Sequence, residues 1–170
     1  KLLMLTVFWK GYKMVHFVGA CSGAVDLITI RGKKLLENAD IIIYAGSLVN
    51  PELLEYAKDS AEIYNSAKMN LDEVIDVMKQ GDTKNVVRLH TGDPCVYGAI
   101  REQMDRLDKL GIEYDVCPGV SSFCGAAAAL KAEYTLPDVS QTVIITRMEA
   151  ELPCLRKKKY ICSRHIMRQW

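Results

Sequence analysis

Short β-branched runs alternate with segments of helical period along most of this chain, and that alternation restricts the fold more than any other feature. Strands separated by helices pair in parallel, because a helical crossover returns the chain to the same end of the sheet. Six strands are predicted, at residues 15–18, 41–44, 61–64, 86–89, 114–117 and 142–146. Five helices are predicted, at residues 26–37, 51–58, 71–80, 99–110 and 122–130. The sequence therefore predicts an α/β fold with an open, mainly parallel sheet of five or six strands flanked by helices.

Several predicted helix ends have local signals of their own. Asn50 precedes Pro51, which suits the first position of a helix because its missing N–H needs no partner there. Asn70 and Glu73 have the spacing of a capping box. Gly111 follows the fourth predicted helix, where a left-handed residue commonly ends a helix. These signals support the predicted helix boundaries independently of the hydrophobic period.

Composition restricts the class of protein. The 170 residues are 49% apolar and 25% charged, which is typical of one globular domain with a substantial core. The formal charge is +1, from 22 basic and 21 acidic residues, and it gives no reason to expect a nucleic acid or a membrane as partner. The six cysteines include no C-x-x-C pair, which favours reduced thiols and a cytoplasmic protein.

The two ends of the chain differ from the middle. Residues 1–13 are predicted to be an extraneous or disordered extension, with Met14 as the natural start. Residues 14–149 are predicted to form the α/β domain. Residues 150–170 are predicted to be a poorly ordered basic tail, with a charged run at residues 156–159. The hydrophobic opening stretch is shorter than the roughly 20 residues that a membrane helix needs.

Three loops after predicted strands carry the residues suited to bind a ligand. In the first, Gly19 and Gly23 either allow a ligand to approach the backbone or form a tight turn. In the second, which reads Thr-Gly-Asp-Pro from Thr91, Asp93 either accepts hydrogen bonds from a ligand or caps the next helix. In the third, Ser121 and Ser122 can cap a helix, bind a ligand, or do both.

No familiar set of catalytic side chains is present. The chain has three histidines, and His90, at the end of a core strand, is expected to be structural. No Ser-His-Asp arrangement and no metal-ligand spacing is found, so no catalytic residue and no metal is predicted. The absence of G-x-G-x-x-G argues against a nicotinamide-dependent oxidoreductase. A reaction that needs no protein nucleophile fits the sequence better.

The three loops together resemble a known family. Residues 18–29 (Val-Gly-Ala-x-x-Gly-x-x-Asp-Leu-Ile-Thr), 89–98 (Leu-His-Thr-Gly-Asp-Pro-x-x-Tyr-Gly) and 116–122 (Val-Cys-Pro-Gly-Val-Ser-Ser) are similar to the S-adenosylmethionine-dependent tetrapyrrole methylases of cobalamin and sirohaem biosynthesis. Residues 44–53 and 141–147 narrow the resemblance to the members that methylate C11 of precorrin-4 or cobalt-precorrin-4. The resemblance extends over about residues 14–149.

The resemblance implies a function and a site. Members of this family are two-lobed enzymes that hold S-adenosylmethionine in the cleft between the lobes. The resemblance implies that this chain corresponds to the N-terminal lobe. A carbon of the tetrapyrrole would attack the sulfonium methyl group, leaving S-adenosylhomocysteine. The resemblance also implies homodimers. The implied cofactor contacts are Ser22, Thr91, Gly92, Asp93, Val96, Ser121 and Ser122, and the implied substrate contacts are Ser47, Leu48 and Tyr97.

Two departures from the family pattern bear on function. Cys21 stands in a stretch where many members have glycine, and a positive φ at this position would strain the backbone by roughly 1 kcal/mol or more. The resemblance also stops at about Ala150, which is typical of a truncated or frameshifted reading frame. We therefore expect impaired methylation by this chain. The alternative function is an α/β module that binds a nucleotide-like ligand without transferring any group.

Overall fold

The structure is a computed structural model, and it describes residues 13–146. The predictions for residues 1–12 and 147–170 lie outside the described residues. The described residues belong to two compact units, divided after Ala132. The first unit holds the predicted α/β sheet, and the second begins at Glu133.

Five parallel strands form one sheet in the first unit. They are β1 (Val15–Gly19), β2 (Ile41–Tyr44), β3 (Glu62–Asn65), β4 (Val86–His90) and β5 (Tyr114–Cys117). Their order across the sheet is β3-β2-β4-β1-β5. Val86 of β4 is level with Val15 of β1 and with Ile41 of β2, and all four strand pairs are parallel. The predicted fold class is confirmed.

Residues 13–146 also contain four α-helices and five short 3-10 helices; α4 follows the last strand, and the others lie between strands. The α-helices are α1 (Ile30–Asn38), α2 (Leu71–Met78), α3 (Ile100–Leu110) and α4 (Ser122–Leu130). The 3-10 helices are Val25–Leu27, Gly46–Leu48, Pro51–Tyr56, Ser66–Lys68 and Lys79–Asp82.

Helices cover both faces of the sheet, which explains why the inner strands β1, β2 and β4 are largely apolar and buried along their length. On one face, Phe17 and Ile43 belong to a cluster that includes residues of α2 and α3. On the other face, Val18 and Ile42 pack with α1 and with the 3-10 helix Pro51–Tyr56. Successive strand residues therefore alternate between two apolar layers, and the core of this unit lies on both sides of β1, β2 and β4.

The predicted caps are present. The Asn50 side chain accepts a hydrogen bond from the Glu52 amide at 3.0 Å. Asn70 and Glu73 form both halves of the capping box, with Asn70 accepting from the Glu73 amide and Glu73 accepting from the Asn70 amide. Gly111 ends α3 in the left-handed conformation, at φ +70°. Local sequence therefore determines where these segments begin and end.

Two predicted helices differ in form. The helix predicted at residues 26–37 is broken, because Thr29 is extended and its side chain accepts a hydrogen bond from the Gly32 amide at 3.0 Å. That bond caps α1 and separates it from the preceding 3-10 turn. The helix predicted at residues 51–58 is a 3-10 helix, Pro51–Tyr56, so its hydrogen bonds connect residues three apart.

The sixth predicted strand, at residues 142–146, is wrong. These residues lie in the second unit, where the described part is irregular and contains one antiparallel bridge, between Leu136 and Ser140. Their β-branched composition suits a half-buried pleated surface, but Val143, Ile144 and Ile145 are all exposed in the structure. The prediction was wrong because these residues have the composition of a strand but no surface to pack against in the described structure.

Two polar side chains are buried on β4, the central strand. Arg88 and His90 alternate with Val87 and Leu89, and both polar side chains are less than one-tenth exposed. The Nε2 atom of His90 has no hydrogen-bond partner among the described residues. Burial, reinforced by the positive charge of Arg88, lowers the pKa of His90 to about 3 and so keeps its ring neutral.

No helix within residues 13–146 is long and apolar enough to cross a membrane. The same residues contain no group of three or more histidine, cysteine, aspartate or glutamate side chains placed to hold a metal ion. The four cysteines in this part of the chain are free thiols.

At the amino edge of the sheet, Asp40 holds several chain segments together. Its carboxylate accepts hydrogen bonds from Lys58 Nζ at 2.6 Å, from Lys13 Nζ at 3.1 Å and from the Asn85 amide at 2.8 Å. These bonds, led by that from Lys58, hold the pKa of Asp40 well below its usual range. The charged form is therefore the one that the fold stabilises.

We expect Asp40→Asn to lower the free energy of unfolding at pH 7 by about 1 kcal/mol, since the charge that binds both lysines is lost. The wild-type advantage should be complete above pH 4 and decline as the pH falls below 4, because the folded-state pKa lies below that of the unfolded chain. Urea unfolding measured from pH 7 to pH 3 tests this. Exposed Asp59 provides the control, Asp59→Asn, and an equal loss in both variants would contradict the assignment.

His90 gives the free energy of unfolding a second dependence on pH, and here too stability falls as the pH falls. The unfolded chain binds a proton on this histidine near pH 6.5 and the folded chain near pH 3, so folding stability should fall as the pH drops between those values. The slope contributed by this one group is at most about 1.4 kcal/mol per pH unit. Urea unfolding of wild type and His90→Leu between pH 7 and pH 4.5 should give a flatter profile for the variant. Parallel profiles would show that His90 is not buried in the neutral form.

Candidate functional site

The candidate site lies at the carboxyl edge of the sheet, where four loops leave adjacent strands. Loop 1 (residues 20–24) follows β1, loop 2 (residues 91–99) follows β4, and loop 3 (residues 118–121) follows β5. The β2 loop (residues 45–50) follows β2. Because all strands are parallel, these loops lie at one edge, which is where open α/β sheets bind ligands.

Three glycines bring the backbones of loops 1, 2 and 3 into contact. A Cβ atom at Gly19 would lie 2.6 Å from the Cα of Gly119 and 2.6 Å from the carbonyl oxygen of Gly92. A Cβ at Gly119 would lie 2.2 Å from that same oxygen. No side chain fits at Gly19 or Gly119, so the close approach of the three loops requires glycine there. Gly19 therefore serves a backbone contact, whereas Gly23 has φ +119° and open space where a Cβ would lie, as the turn alternative predicts.

Loop 1 is also hydrogen-bonded to both neighbouring loops through Cys21. The Cys21 amide donates to the Gly92 carbonyl at 3.2 Å, and the Gly92 amide donates back to the Cys21 carbonyl at 3.0 Å. The buried Cys21 Sγ accepts a hydrogen bond from the Val120 amide at 3.2 Å. Cys21 has φ +61°, so the positive φ considered for this position is present, and the backbone strain there is offset by three hydrogen bonds.

Asp93 connects loop 2 to loop 3. Its Oδ1 accepts a hydrogen bond from the Cys95 amide at 2.8 Å, and its Oδ2 accepts one from the Gly119 amide at 2.9 Å. The suggestion that Asp93 caps the next helix is wrong, because α3 begins only at Ile100 and is preceded by Ala99. Both carboxylate oxygens hold backbone N–H groups, so Asp93 determines the relative position of the two loops.

Most of the predicted cofactor residues lie together around these contacts. A Cβ at Gly92 would have ordinary van der Waals contacts, at 3.6 Å, with the Cα of Ser121 and the amide nitrogen of Ser122. Ser121 occupies the N-cap position of α4, but its side chain makes no capping hydrogen bond, so the capping suggestion for its hydroxyl is wrong. Ser22 contacts α4 at Gly125, where an added Cβ would lie 2.5 Å from the Cβ of Ser22. Thr91 is half-buried between β4 and Gly92.

Loop 2 continues in a strained conformation toward α3. Tyr97 and Ala99 both have positive φ, at +58° and +52°, and a Cβ at Gly98 would lie 2.1 Å from the carbonyl oxygen of Pro94. Left-handed residues other than glycine cost about 1–2 kcal/mol each and are common where a loop has a function. In this loop the side chains of Val96 and Tyr97 are 37% and 54% exposed.

The β2 loop is attached to loop 1 by Asn50. The Asn50 side chain donates a hydrogen bond to the Gly23 carbonyl at 2.9 Å, in addition to its capping bond. The predicted substrate residues Ser47 and Leu48 lie in the 3-10 helix Gly46–Leu48 of this loop, and the Leu48 side chain is 76% exposed. The structure thus connects the loop of Ser47 and Leu48 to the loops of the predicted cofactor contacts.

The polar groups beneath the loops are not suited to acid–base catalysis near neutral pH. His90 is neutral, and burial lowers the pKa of Arg88 only to about 10, so Arg88 stays charged. Burial raises the pKa of Cys117, which disfavours its thiolate. The arrangement provides backbone polar groups, hydroxyls and exposed apolar side chains, and these can bind and orient a ligand.

Two surface hollows of the described residues lie elsewhere. One, of about 470 Å³, is lined by Met14 and by residues around Gly111 at the start of β5. Another, of about 460 Å³, lies along α1 and is lined by Lys33 and Tyr56 among others. We assign the site to the loops because the glycine contacts, the strained residues and the predicted ligand residues coincide there. The loops form an open wall in this unit.

Sequence reasoning missed the residues that connect the loops. Cys21 was singled out only for its conformation and Asn50 only as a cap, whereas both hold loop 1 in place. Gly119 belongs to the third motif, but its sequence context indicates no role of its own, although its amide donates a hydrogen bond to Asp93. The three residues act on partners remote in sequence, such as Val120 for Cys21, and no local pattern indicates such a pair.

Comparison with known proteins gives consistent results. A model of the family "Tetrapyrrole (Corrin/Porphyrin) Methylases" matches residues 14–160. The cobalt-precorrin-4 C(11)-methyltransferase of Methanocaldococcus jannaschii is 61% identical over 149 residues, which are 86% of this chain and 58% of that protein. The enzyme of the same name from Priestia megaterium is 47% identical, over 82% of this chain and 55% of that protein.

Solved structures agree in fold. A cobalamin biosynthetic enzyme, cobalt precorrin-4 methyltransferase, superposes with a TM-score of 0.80 at 45% identity, over 85% of this chain and 62% of that chain. A uroporphyrin-III C-methyltransferase from Thermus thermophilus, in complex with S-adenosyl homocysteine, gives a TM-score of 0.60 at 28% identity, over 67% of this chain and 51% of that chain.

The chain spans little more than half the length of the curated relatives that it matches. The family match nevertheless includes all five strands and the four loops described above. On the match to the family model over residues 14–160, the identity to its members and the superposition on a solved structure, the chain belongs to the tetrapyrrole methylase family.

Proposed function

We propose that this chain binds S-adenosylmethionine on loops 1, 2 and 3, and that it serves the methylation of C11 of precorrin-4 or cobalt-precorrin-4 in cobalamin biosynthesis. The relatives named for this reaction include those at 61% and 47% identity. The structure of a more distant relative was solved with S-adenosyl homocysteine. Because the chain spans part of these proteins, substrate and activity are proposals for this chain.

The observation that carries the proposal is the joining of three loops into one surface around Gly92. Loop 1 reaches it through Cys21, and loop 3 through Asp93 and Gly119. The candidate cofactor residues Ser22, Thr91, Ser121 and Ser122 lie on this surface. A ligand that contacts several loops at once gains affinity when the loops are already in place, since it does not have to order them.

The residues present fit this cofactor. Gly92 has φ +61° and bears no side chain, so a ligand can approach its backbone closely. The hydroxyl of Ser121 is not used to cap α4, which leaves it suited to a polar group of a ligand. Val96 adds an exposed apolar side chain suited to the adenine ring. Asp93, whose oxygens both hold backbone amides, fits as the residue that fixes the wall.

When bound, the cofactor supplies an electrophilic methyl group on a sulfonium centre. The nucleophile would be a carbon atom of the tetrapyrrole, so this chain need provide no nucleophile. The new C–C bond would form as the C–S bond breaks, S-adenosylhomocysteine would leave, and the macrocycle would lose a proton to discharge the positive charge that it receives. Its residues would bind and align the two reactants and exclude water from them. Alignment of this kind accounts for a large part of the rate of such displacements. Buried His90, with its pKa lowered to about 3, and Cys117, with its pKa raised by burial, are not suited to accept that proton near neutral pH.

The tetrapyrrole would lie over loop 1 and the β2 loop. Leu48 and Tyr97 present exposed apolar surface at this edge of the sheet, which suits the flat macrocycle, and Ser47 precedes Leu48 in the same turn. Asn50 holds the β2 loop against Gly23 of loop 1. The homodimer that the family resemblance implies remains an expectation.

Cofactor binding is tested by isothermal titration of S-adenosylhomocysteine into the 170-residue chain. We expect binding, and we expect Asp93→Ala to weaken it about tenfold, because the substitution removes the bond that fixes loop 3 at Gly119. Asp93→Asn should be intermediate, since its amide retains one acceptor oxygen. Asp105→Asn, on the exposed side of α3, should bind like the wild type.

Two results would contradict the proposal: no binding by a chain whose circular dichroism shows it folded, or equal affinity of Asp93→Ala and wild type. A separate assay follows transfer of the labelled methyl group to a precorrin-4 substrate. Binding with no transfer would favour the alternative, a module that holds the ligand without transferring a group.

A further inference from the structure

Arg88 is a buried cation on the central strand, and its surroundings are unusual. Its three hydrogen-bond acceptors among the described residues are neutral: Gln103 Oε1 at 3.3 Å, the Ile43 carbonyl at 3.1 Å and the Leu89 carbonyl at 3.5 Å. Burying a charge is costly unless the charge has good partners, so this position requires an explanation. Phe17 of β1 and Ile43 of β2 are level with Arg88 and belong to one apolar cluster, so a hydrocarbon side chain would suit the position of Arg88 as well.

The partners of Arg88 give that explanation, because they belong to three different elements. Ile43 precedes the last residue of β2, just before the β2 loop. Gln103 lies in the first turn of α3, and its Nε2 donates to the carbonyl of Ala99 at 3.2 Å. A continuous chain of hydrogen bonds therefore runs from the end of β2, through Arg88 and Gln103, to the last residue of loop 2.

Ala99 is a residue whose conformation needs external support. It has φ +52°, it follows Gly98 and strained Tyr97, and no side chain caps α3 at this position. Strained residues persist only where their surroundings determine them. The Gln103 side chain fixes the carbonyl of Ala99, and Arg88 fixes the Gln103 side chain.

We propose that Arg88 and Gln103 are positioning residues that lock the strained segment of Tyr97, Gly98 and Ala99 and so set the ligand-facing conformation of loop 2. This inference rests on the proposed function, since the segment borders the proposed cofactor and tetrapyrrole contacts at Val96 and Tyr97. Because Arg88 also binds the Ile43 carbonyl, the same pair relates loop 2 to the β2 loop that carries Leu48.

Two substitutions of Gln103 separate the locking role from general stability. Gln103→Glu keeps an acceptor for Arg88 but loses the donor to the Ala99 carbonyl, whereas Gln103→Leu loses both. Glu102→Gln is the control, because Glu102 is exposed on the same turn and pairs only loosely with Arg106, at 3.8 Å. Amide hydrogen exchange and titration with S-adenosylhomocysteine are measured on the whole chain for all three variants and the wild type.

We expect both Gln103 variants to exchange about fivefold faster than wild type within residues 94–102, as for loss of one neutral hydrogen bond, and to bind S-adenosylhomocysteine about fivefold more weakly. For Gln103→Glu, exchange in β1 and β2 should be unchanged, which a general loss of stability would not produce. Glu102→Gln should match the wild type in both measurements.

Unchanged exchange at residues 94–102 in Gln103→Glu would overturn the inference, and so would equal acceleration across the whole sheet. The proposed function fails separately, if the folded wild-type chain does not bind S-adenosylhomocysteine. If exchange accelerates at residues 94–102 in Gln103→Glu and the wild type does not bind S-adenosylhomocysteine, the locking role of Gln103 is supported and the proposed function is rejected. If the wild type binds and Gln103→Glu binds equally well despite a loosened segment, the ligand-facing role is overturned.

Discussion

The contact among Gly19, Gly92 and Gly119 is the constraint on which the rest of the carboxyl edge depends. Three loops that follow three adjacent strands meet there backbone to backbone, at separations that leave no room for a Cβ at Gly19 or Gly119. The hydrogen bonds of Cys21 to Val120 and of Asp93 to Gly119 can form because the glycines let the loops approach this closely. Sheet order supplies the neighbours, since β4, β1 and β5 lie side by side.

Beneath the loops, the polar residues of β4 extend this framework to the other half of the edge. Arg88 reaches from the end of β2 to the first turn of α3, and Asn50 joins the β2 loop to loop 1. Four loops are therefore connected by side chains that are themselves away from the exposed surface or at its margin. Leu48, Val96 and Tyr97 are exposed at this edge, where we propose that they offer surface to a ligand.

Local patterns predicted what local forces determine. The inner strands β1, β2 and β4 follow from largely apolar runs that are buried on two faces, and the capping box at Asn70 follows from bonds within four residues. The strand predicted at residues 142–146 failed because composition cannot show whether a packing surface exists. The loop connections were not predictable in the same way, since the bond between Asp93 and Gly119 joins residues 26 positions apart and that between Cys21 and Val120 joins residues 99 apart. The candidate residues were recognised by family resemblance, and their supporting partners only by structure.

The wall formed by these loops is held together by close backbone contacts at its glycines and by the side chains of Cys21, Asp93 and Asn50, and this has a consequence for which substitutions it tolerates. Exposed side chains of the wall can be substituted without disturbing the bonds that shape it, so the surface offered to the proposed substrate can change while the backbone that would bind the proposed cofactor keeps its shape. Few positions of the wall cannot be substituted. Gly119 is one of them, because its amide donates a hydrogen bond to Asp93 and a Cβ there would collide with the carbonyl oxygen of Gly92.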